Sequence, residues 1–267
     1  MLRVAIAGCS GRMGKALVQS IVLRTDMKLT AATVTHGNPL VSTDVGLIAG
    51  IQALNLKPSD DIHKVIDQFD VLIDFTIPAS TLQHLSLCKK NHKKMVIGTT
   101  GLNDEQKNRI QEASSVIPIM FAPNTSIGVN LCYELMKKAA AVLGDTVDIE
   151  IIEAHHRHKI DAPSGTALKM GEVIAQTLGR DFKQVAKFDR YGNTGERDRQ
   201  TIGFSTIRGG DIVGDHTALF ASSGERVEIT HKASSRQAFA TGALTAAKWL
   251  ADKQSGLYSM ADVLGFK

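Results

Sequence analysis

Residues 4–17 read VAIAGCSGRMGKAL. An apolar run from Val4 to Ala7 ends at Gly8, and glycines recur at Gly11 and Gly14 as the pattern turns helical. Strand, glycine loop and helix, in that order, form the usual plan of a dinucleotide-binding turn. Gly8 suits the tight turn, Gly11 lets the backbone approach a pyrophosphate, and Gly14 lets the helix pack closely on the strand. Amides at the helix start, aided by Arg12, suit phosphate groups. The plainer reading is a sharp strand-to-helix turn that binds nothing.

Working outward, short apolar runs near 3–7, 29–34, 71–75, 95–98 and 118–121 alternate with amphipathic stretches near 12–23, 78–91 and 103–115. Such alternation predicts a mostly parallel sheet with helices on both faces, a Rossmann-type α/β domain. Open sheets of this kind bind ligands beyond the carboxyl ends of their strands. Three small polar loops lie there: DFTIPAS (74–80), GTTG (98–101) and APNTS (122–126). Asn103 with Gln106 three positions on is a capping pair, so the second loop also reads as a simple connection. The second strand ends in AATVTHGNP (31–39), without the acid that commonly binds the adenosine ribose. Thr35 and His36 instead tolerate a 2′-phosphate, and the nicotinamide preference stays open.

Past a long helix predicted from Ile127 to about Leu143 and stopped by Gly144, the pattern changes. TVDIEIIEA (146–154) reads as a strand and 164–178 as a helix. Residues 201–233 read as three strands with turns at Gly209-Gly210 and Ser223-Gly224. The densely charged 180–200 stretch reads as an exposed loop, and an Ala-rich helix follows from about residue 235. Two domains are expected: 1–126, and a smaller α+β unit over 127–235 with a four-stranded mixed sheet. Periodicity alone leaves the last helix unassigned. Two helices cover one face of the smaller sheet, so its other face is expected to pair with another subunit.

Residues 153–167, EAHHRHKIDAPSGTA, concentrate positive charge at the end of a predicted strand. His155 and His156 are adjacent there and point to opposite sides, so they do not chelate one metal together. No HExxH helix, CxxC pair or nearby carboxylate cluster completes a site, and no metal is expected. Ser164 is a helix N-cap, which puts the Gly165 and Thr166 amides at a positive helix end. With Arg157 and Lys159 beside it, the packet is suited to a small carboxylate, and Lys159 or a histidine can transfer a proton. A solvated basic loop before a capped helix is the plainer alternative.

Composition bounds these readings. The 267 residues are 43% hydrophobic and 22% charged, ordinary for a globular chain, and no apolar run approaches a membrane span. The N-terminus enters a strand at once, without secretory features, and the three cysteines have unrelated spacings. Both suggest a cytoplasmic protein. A net charge of +4, with 5% aromatics, argues against nucleic acid.

GCSGRMG, DFT, VIGTTG, APNTSIGVN, GFSTIRGGDIVGDHT, ITHKASSR and above all IEIIEAHHRHKIDAPSGTAL resemble the dihydrodipicolinate reductase family, from end to end. The resemblance implies a cytoplasmic homotetramer, joined through the second domain's sheet, in the diaminopimelate branch of lysine biosynthesis. It implies reduction of 4-hydroxy-tetrahydrodipicolinate to tetrahydrodipicolinate by NADH or NADPH, with loss of water. His155 is then the proton donor or acceptor and Lys159 the proton donor. His156, Gly165 and Thr166 hold the substrate carboxylates, with the helix start at Ser164. Gly8, Cys9, Ser10, Gly11, Arg12, Met13, Gly98, Thr99, Thr100, Ala122, Pro123, Asn124 and Thr125 line the dinucleotide. Arg157 and His158 shape the loop without entering the chemistry. The final helix, 236–267, returns to the first domain. Val34-Thr35 and Ile77 depart from residues many members carry, which bears on cofactor preference alone. Two other readings compete. A semialdehyde dehydrogenase needs a cysteine nucleophile, for which neither Cys9 in the glycine loop nor Cys132 in a helix is well placed. A non-catalytic nucleotide sensor would use the basic packet for a regulatory anion or a partner protein.

Overall fold

The structure is a computed structural model and describes residues 1–266. In chain order it begins β1 (Leu2–Ala7), α1 (Arg12–Ile21), β2 (Met27–Ala32), α2 (Val45–Ile48), β3 (Val71–Asp74), α3 (Pro78–Lys90), β4 (Lys94–Ile97), α4 (Asp104–Ser114) and β5 (Pro118–Phe121). It continues α5 (Ile127–Leu143), β6 (Asp148–His155), α6 (Gly165–Thr177), α7 (Phe182–Val185), β7 (Ala186–Lys187), β8 (Ile202–Arg208), β9 (Gly214–Ala221) and β10 (Arg226–Ala233). It ends α8 (Gln237–Leu250), β11 (Gly256–Tyr258) and α9 (Met260–Leu264). Two compact units result, one of Met1–Ile127 with Arg236–Lys267 and one of Gly128–Ser235.

The first unit holds a parallel sheet ordered β11-β5-β4-β3-β1-β2. Its inner strands β3 and β4 are buried on both faces, as helix-covered parallel strands must be. Val4 and Ile6 join Leu17, Ile73 and the alanines of α8 in one core layer, while the alternating Ala5 and Ala7 join Leu72, Leu85 and Ile110 in the other. The strand order reverses at β1, so the crevice beyond β1 and β3 is the switch point at which such sheets bind ligands. Helix α8 packs so tightly that a Cβ on Gly242 would lie 1.7 Å from the Thr125 carbonyl oxygen. That contact buttresses the loop after β5. Strand β11 is absent from the sequence reading because three residues carry no periodicity; it exists through its pairing with Pro118–Met120.

The second unit holds a mixed sheet ordered β10-β9-β6-β8-β7. Apolar residues of α5 and α6, among them Met136, Met170 and Ile174, cover the face that carries Ile149, Ile151, Ala218 and Phe220. Four long strands match expectation, but the charged 180–200 stretch, expected to be a loop throughout, also contains the short helix α7 and the two-residue strand β7, a fifth member of the sheet. Those charges are partly engaged: Arg190 and Arg197 both pair with Glu150. The turn at Gly209-Gly210 is present, with Gly210 at φ +53°, but it makes no hairpin. Strand β6 lies between β8 and β9, so the connection passes over its end. There it binds the basic packet through His156 N to Ile212 O (2.7 Å), Arg157 N to Gly210 O (3.2 Å) and Gly209 N to His155 O (2.9 Å).

Candidate functional site

In the first unit the glycine turn is built from closely packed backbone. Gly8 sits at φ +66°, and a Cβ on Gly14 would lie 2.2 Å from the Gly8 carbonyl oxygen, so helix and turn touch backbone to backbone. Gly11 is the N-cap of α1 and no side chain caps it. A positive helix end thus opens between Ser10 and Met13, with Arg12 exposed beside it. Cys9 contributes backbone only: its side chain is fully buried, and burial pushes the thiol up to about 11. A cysteine so placed is a poor nucleophile.

The loops after β3 and β4 are tied together by a carboxylate that the sequence reading did not single out. Asp74 is fully buried and accepts from Thr76 N (2.9 Å) and Thr76 Oγ1 (2.6 Å), while its other oxygen meets His84 Nδ1 at 2.7 Å. Thr81 and Thr99 hydroxyls join at 2.7 Å, which buries Thr99 of the GTTG loop. Gly98 is needed because the Phe75 ring occupies its Cβ position, at 2.1 Å. In the loop after β5, Ala122 and Thr125 are buried, Thr125 Oγ1 donates to Phe239 O (2.7 Å), and Asn124 Oδ1 accepts from Ser126 N (2.9 Å). An acid does stand near the end of β2, supplied from elsewhere. Asp60 accepts from Gly37 N (3.3 Å) and meets His36 Nδ1 at 3.3 Å.

In the second unit, β6 delivers Glu153 and His155 to the helix-covered face, two residues apart. Register brings Thr206 of β8 and His216 of β9 opposite Glu153, and Arg208 opposite His155. Glu153 is 1% exposed and accepts from Arg208 Nη1 and Nη2 (2.8 Å each), Ser164 N (3.1 Å) and Thr206 Oγ1 (3.3 Å); it meets His155 Nδ1 at 2.5 Å. Burial alone would raise its pKa, but the Arg208, His155 and Ser164 hydrogen bonds outweigh burial and hold it at about 2. His155 is lowered by burial, with Glu153 opposing, and so is neutral at pH 7. Burial lowers His216 further, to about 3, with His155 adding to the effect. Its Nε2 meets Ser164 Oγ at 2.8 Å, and Ser164 Oγ in turn accepts from Ala167 N (3.2 Å) as the N-cap of α6. Gly165 and Thr166 are the first two residues of that helix.

Lys159 is engaged: its Nζ lies 2.7 and 2.8 Å from the two Asp161 oxygens. The basic packet therefore carries its own counterion, which the sequence reading did not weigh. Arg157 and His158 are exposed. Glu153, His155 and His216 place possible ligand atoms within 4.8 Å of one another, a convergence also missed from sequence. Both Glu153 oxygens already hold the Arg208 guanidinium, so this cluster is compensated by a fixed cation and is poorly suited to a metal ion.

Two family models cover nearly the whole chain. One described as dihydrodipicolinate reductase, N-terminus, matches residues 2–125, and one described as dihydrodipicolinate reductase, C-terminus, matches 128–264. The chain belongs to the dihydrodipicolinate reductase family. It is accordingly an oxidoreductase. A curated relative from Pseudomonas fluorescens, named 4-hydroxy-tetrahydrodipicolinate reductase, is 59% identical over 268 residues, covering all of both chains. Among solved structures, the dipicolinate-bound dihydrodipicolinate reductase from Paenisporosarcina sp. TG-14 matches with TM-score 0.77 and 27% identity over 98% of each chain. An amine dehydrogenase from Mycobacterium smegmatis matches with TM-score 0.58 and 12% identity over 97% of this chain and 95% of its own, a likeness of fold alone. Neither the semialdehyde dehydrogenase nor the sensor reading is favoured by membership of this reductase family.

Proposed function

We propose that the protein reduces 4-hydroxy-tetrahydrodipicolinate to tetrahydrodipicolinate with NADH or NADPH, a step of lysine and diaminopimelate biosynthesis. A hydride and a proton enter and a water leaves. The observation that carries this reading is the convergence of His155, Lys159 and the capped start of α6 in a chain 59% identical throughout to a relative of that name. The side-chain-free turn at Gly8, Gly11 and Gly14 suits a pyrophosphate, with Ser10, Arg12 and Met13, the 98–100 loop and the 122–125 loop completing the cradle. When bound, the reduced nicotinamide supplies the hydride.

The protein's own groups bind and protonate. The positive end of α6, at Gly165 and Thr166, and His156 hold the substrate carboxylates, and Lys159 exchanges Asp161 for the substrate. Lys159 donates the proton, and His155, neutral at rest, donates or accepts one. The uncovered face of the second sheet, with Ile152, Ala154, Ile207 and Leu219, supports a homotetramer joined through that sheet. Three free, buried cysteines suit a cytoplasmic setting.

Lys159→Ala is expected to lower kcat by roughly 10²- to 10⁴-fold while NADH affinity stays within about twofold. Cofactor oxidation at 340 nm with freshly generated substrate, beside a fluorescence titration, measures both. Wild-type turnover in this variant would remove Lys159 from the mechanism, and no oxidation of either cofactor by the wild type would remove the reaction.

A further inference from the structure

Glu153 has no part in the reaction as described, yet it collects more hydrogen bonds than any other carboxylate in the second unit's site. Because the Arg208 guanidinium holds both of its oxygens, it stays a carboxylate, and the hydrogen in the 2.5 Å contact belongs to His155 Nδ1. In a neutral imidazole the other nitrogen, Nε2, then carries the lone pair. The fold keeps room at that atom. Gly214 of β9 lies beside it, and a Cβ there would come within 3.0 Å of Nε2 and 3.4 Å of Cδ2. Arg208 Nη2 also donates to Asp161 O (2.6 Å), so the same guanidinium fixes the carboxylate and the loop that carries Lys159.

We propose that Glu153 is the positioning residue for His155: its carboxylate takes the Nδ1 hydrogen, sets the ring plane and leaves Nε2 as the nitrogen that exchanges a proton with the substrate, with Arg208 holding the carboxylate in place. This rests on the reading of His155 as a proton-exchanging group. The charged and titratable groups around His155 are Glu153 on its own strand, Arg208 on β8, His216 on β9 and Lys159 in the following loop. Of these, Glu153 alone favours the imidazolium.

The test is Glu153→Gln. A neutral amide no longer stabilises the imidazolium, while Arg208 and Lys159 still oppose it. The expected result is a kcat lowered by about 10- to 100-fold, with KM for substrate and cofactor within about threefold, and a His155 limb of the pH profile moved to lower pH. In a His155→Asn background the same substitution is expected to cost less than about twofold, because the two residues act as one unit. Nitrogen NMR of histidine-labelled protein, with H155N identifying the resonance, is expected to show His155 as the Nδ1–H tautomer in the wild type and shifted toward Nε2–H in E153Q. E153Q leaves Arg208 without its counterion, so E153Q/R208Q is read in the same way, with circular dichroism reporting the fold. An equal loss of kcat in the H155N background, or an Nε2–H tautomer in the wild type, would overturn the proposal. Full activity of H155N would instead overturn the role of His155, an outcome the tautomer measurement does not depend on.

Discussion

Gly214 shows how much one missing methyl can carry. It lies in β9 without a positive φ, so its backbone admits any residue, and only the space beside His155 calls for glycine there. The ring cannot swing aside freely, because its Nδ1 is held by Glu153 at 2.5 Å. With His155 in its proposed proton-exchanging role, Gly214→Ala is therefore expected to lower kcat by about tenfold with a change in melting temperature of only a few degrees, since a small misplacement of such a group costs rate before it costs stability. Steady-state kinetics beside a thermal melt would show the split. At this scale the sequence was partly legible. The adjacent chain positions from His155 to Thr166 announce themselves, because charge, capping and strand end are local signals. Glu153 was in view as a letter but not as a partner, since Arg208 and His216 reach it only through strand register across long sequence separations. Asp60 escaped for a related reason: a parallel bridge from Thr33 to Ser59 brings its segment beside the end of β2.

Among elements, α8 bears on the 122–125 loop, proposed to line the cofactor, although it lies more than a hundred residues from it. Its alanines allow close approach to the sheet, and Gly242 allows its backbone to meet the Thr125 carbonyl. Gly242→Ala has no flexible side chain to displace, so overpacking is expected to cost roughly 1–3 kcal/mol and to move the 122–125 loop. A lower melting temperature together with weaker NADH binding would report this, whereas weaker stability with unchanged binding would count against the proposed cofactor role of the 122–125 loop. The long helices and the strands of the first sheet were legible because burial on defined faces imposes a period. Strands β7 and β11 were not, because two or three residues show no period and owe their form to a neighbouring strand.

For the whole molecule, the buried network links stability to acid. His216, held at about 3 against an ordinary 6.5, resists protonation in the fold, as does His155. Below pH 6.5 the unfolded chain binds protons that the folded chain does not, so stability falls as pH drops from 6.5 toward 3, by about 1.4 kcal/mol per pH unit for His216, with His155 acting in the same direction. Glu153 adds a second loss at lower pH. Its folded value of about 2 lies under the ordinary 4.5, so its contribution is complete above 4.5 and disappears as pH falls to 2. Urea midpoints at pH 7.5, 6, 5 and 4 are expected to decline steadily, and His216→Gln is expected to flatten the first part of that decline. A midpoint constant from pH 7.5 to 5 would contradict the buried, neutral state of the histidines.

The return of α8 and β11 to the first sheet also orders events as the chain is made. Every residue of the second unit has been synthesised before the first unit receives its last core helix and its edge strand beside β5. The later segment is therefore the earlier one able to finish folding, while the first half waits with an open sheet edge and an uncovered core layer. Ribosome-bound chains held on a C-terminal tether long enough that residue 240 has just left the exit tunnel are expected to protect residues 128–235 from protease and to leave 1–127 open to it.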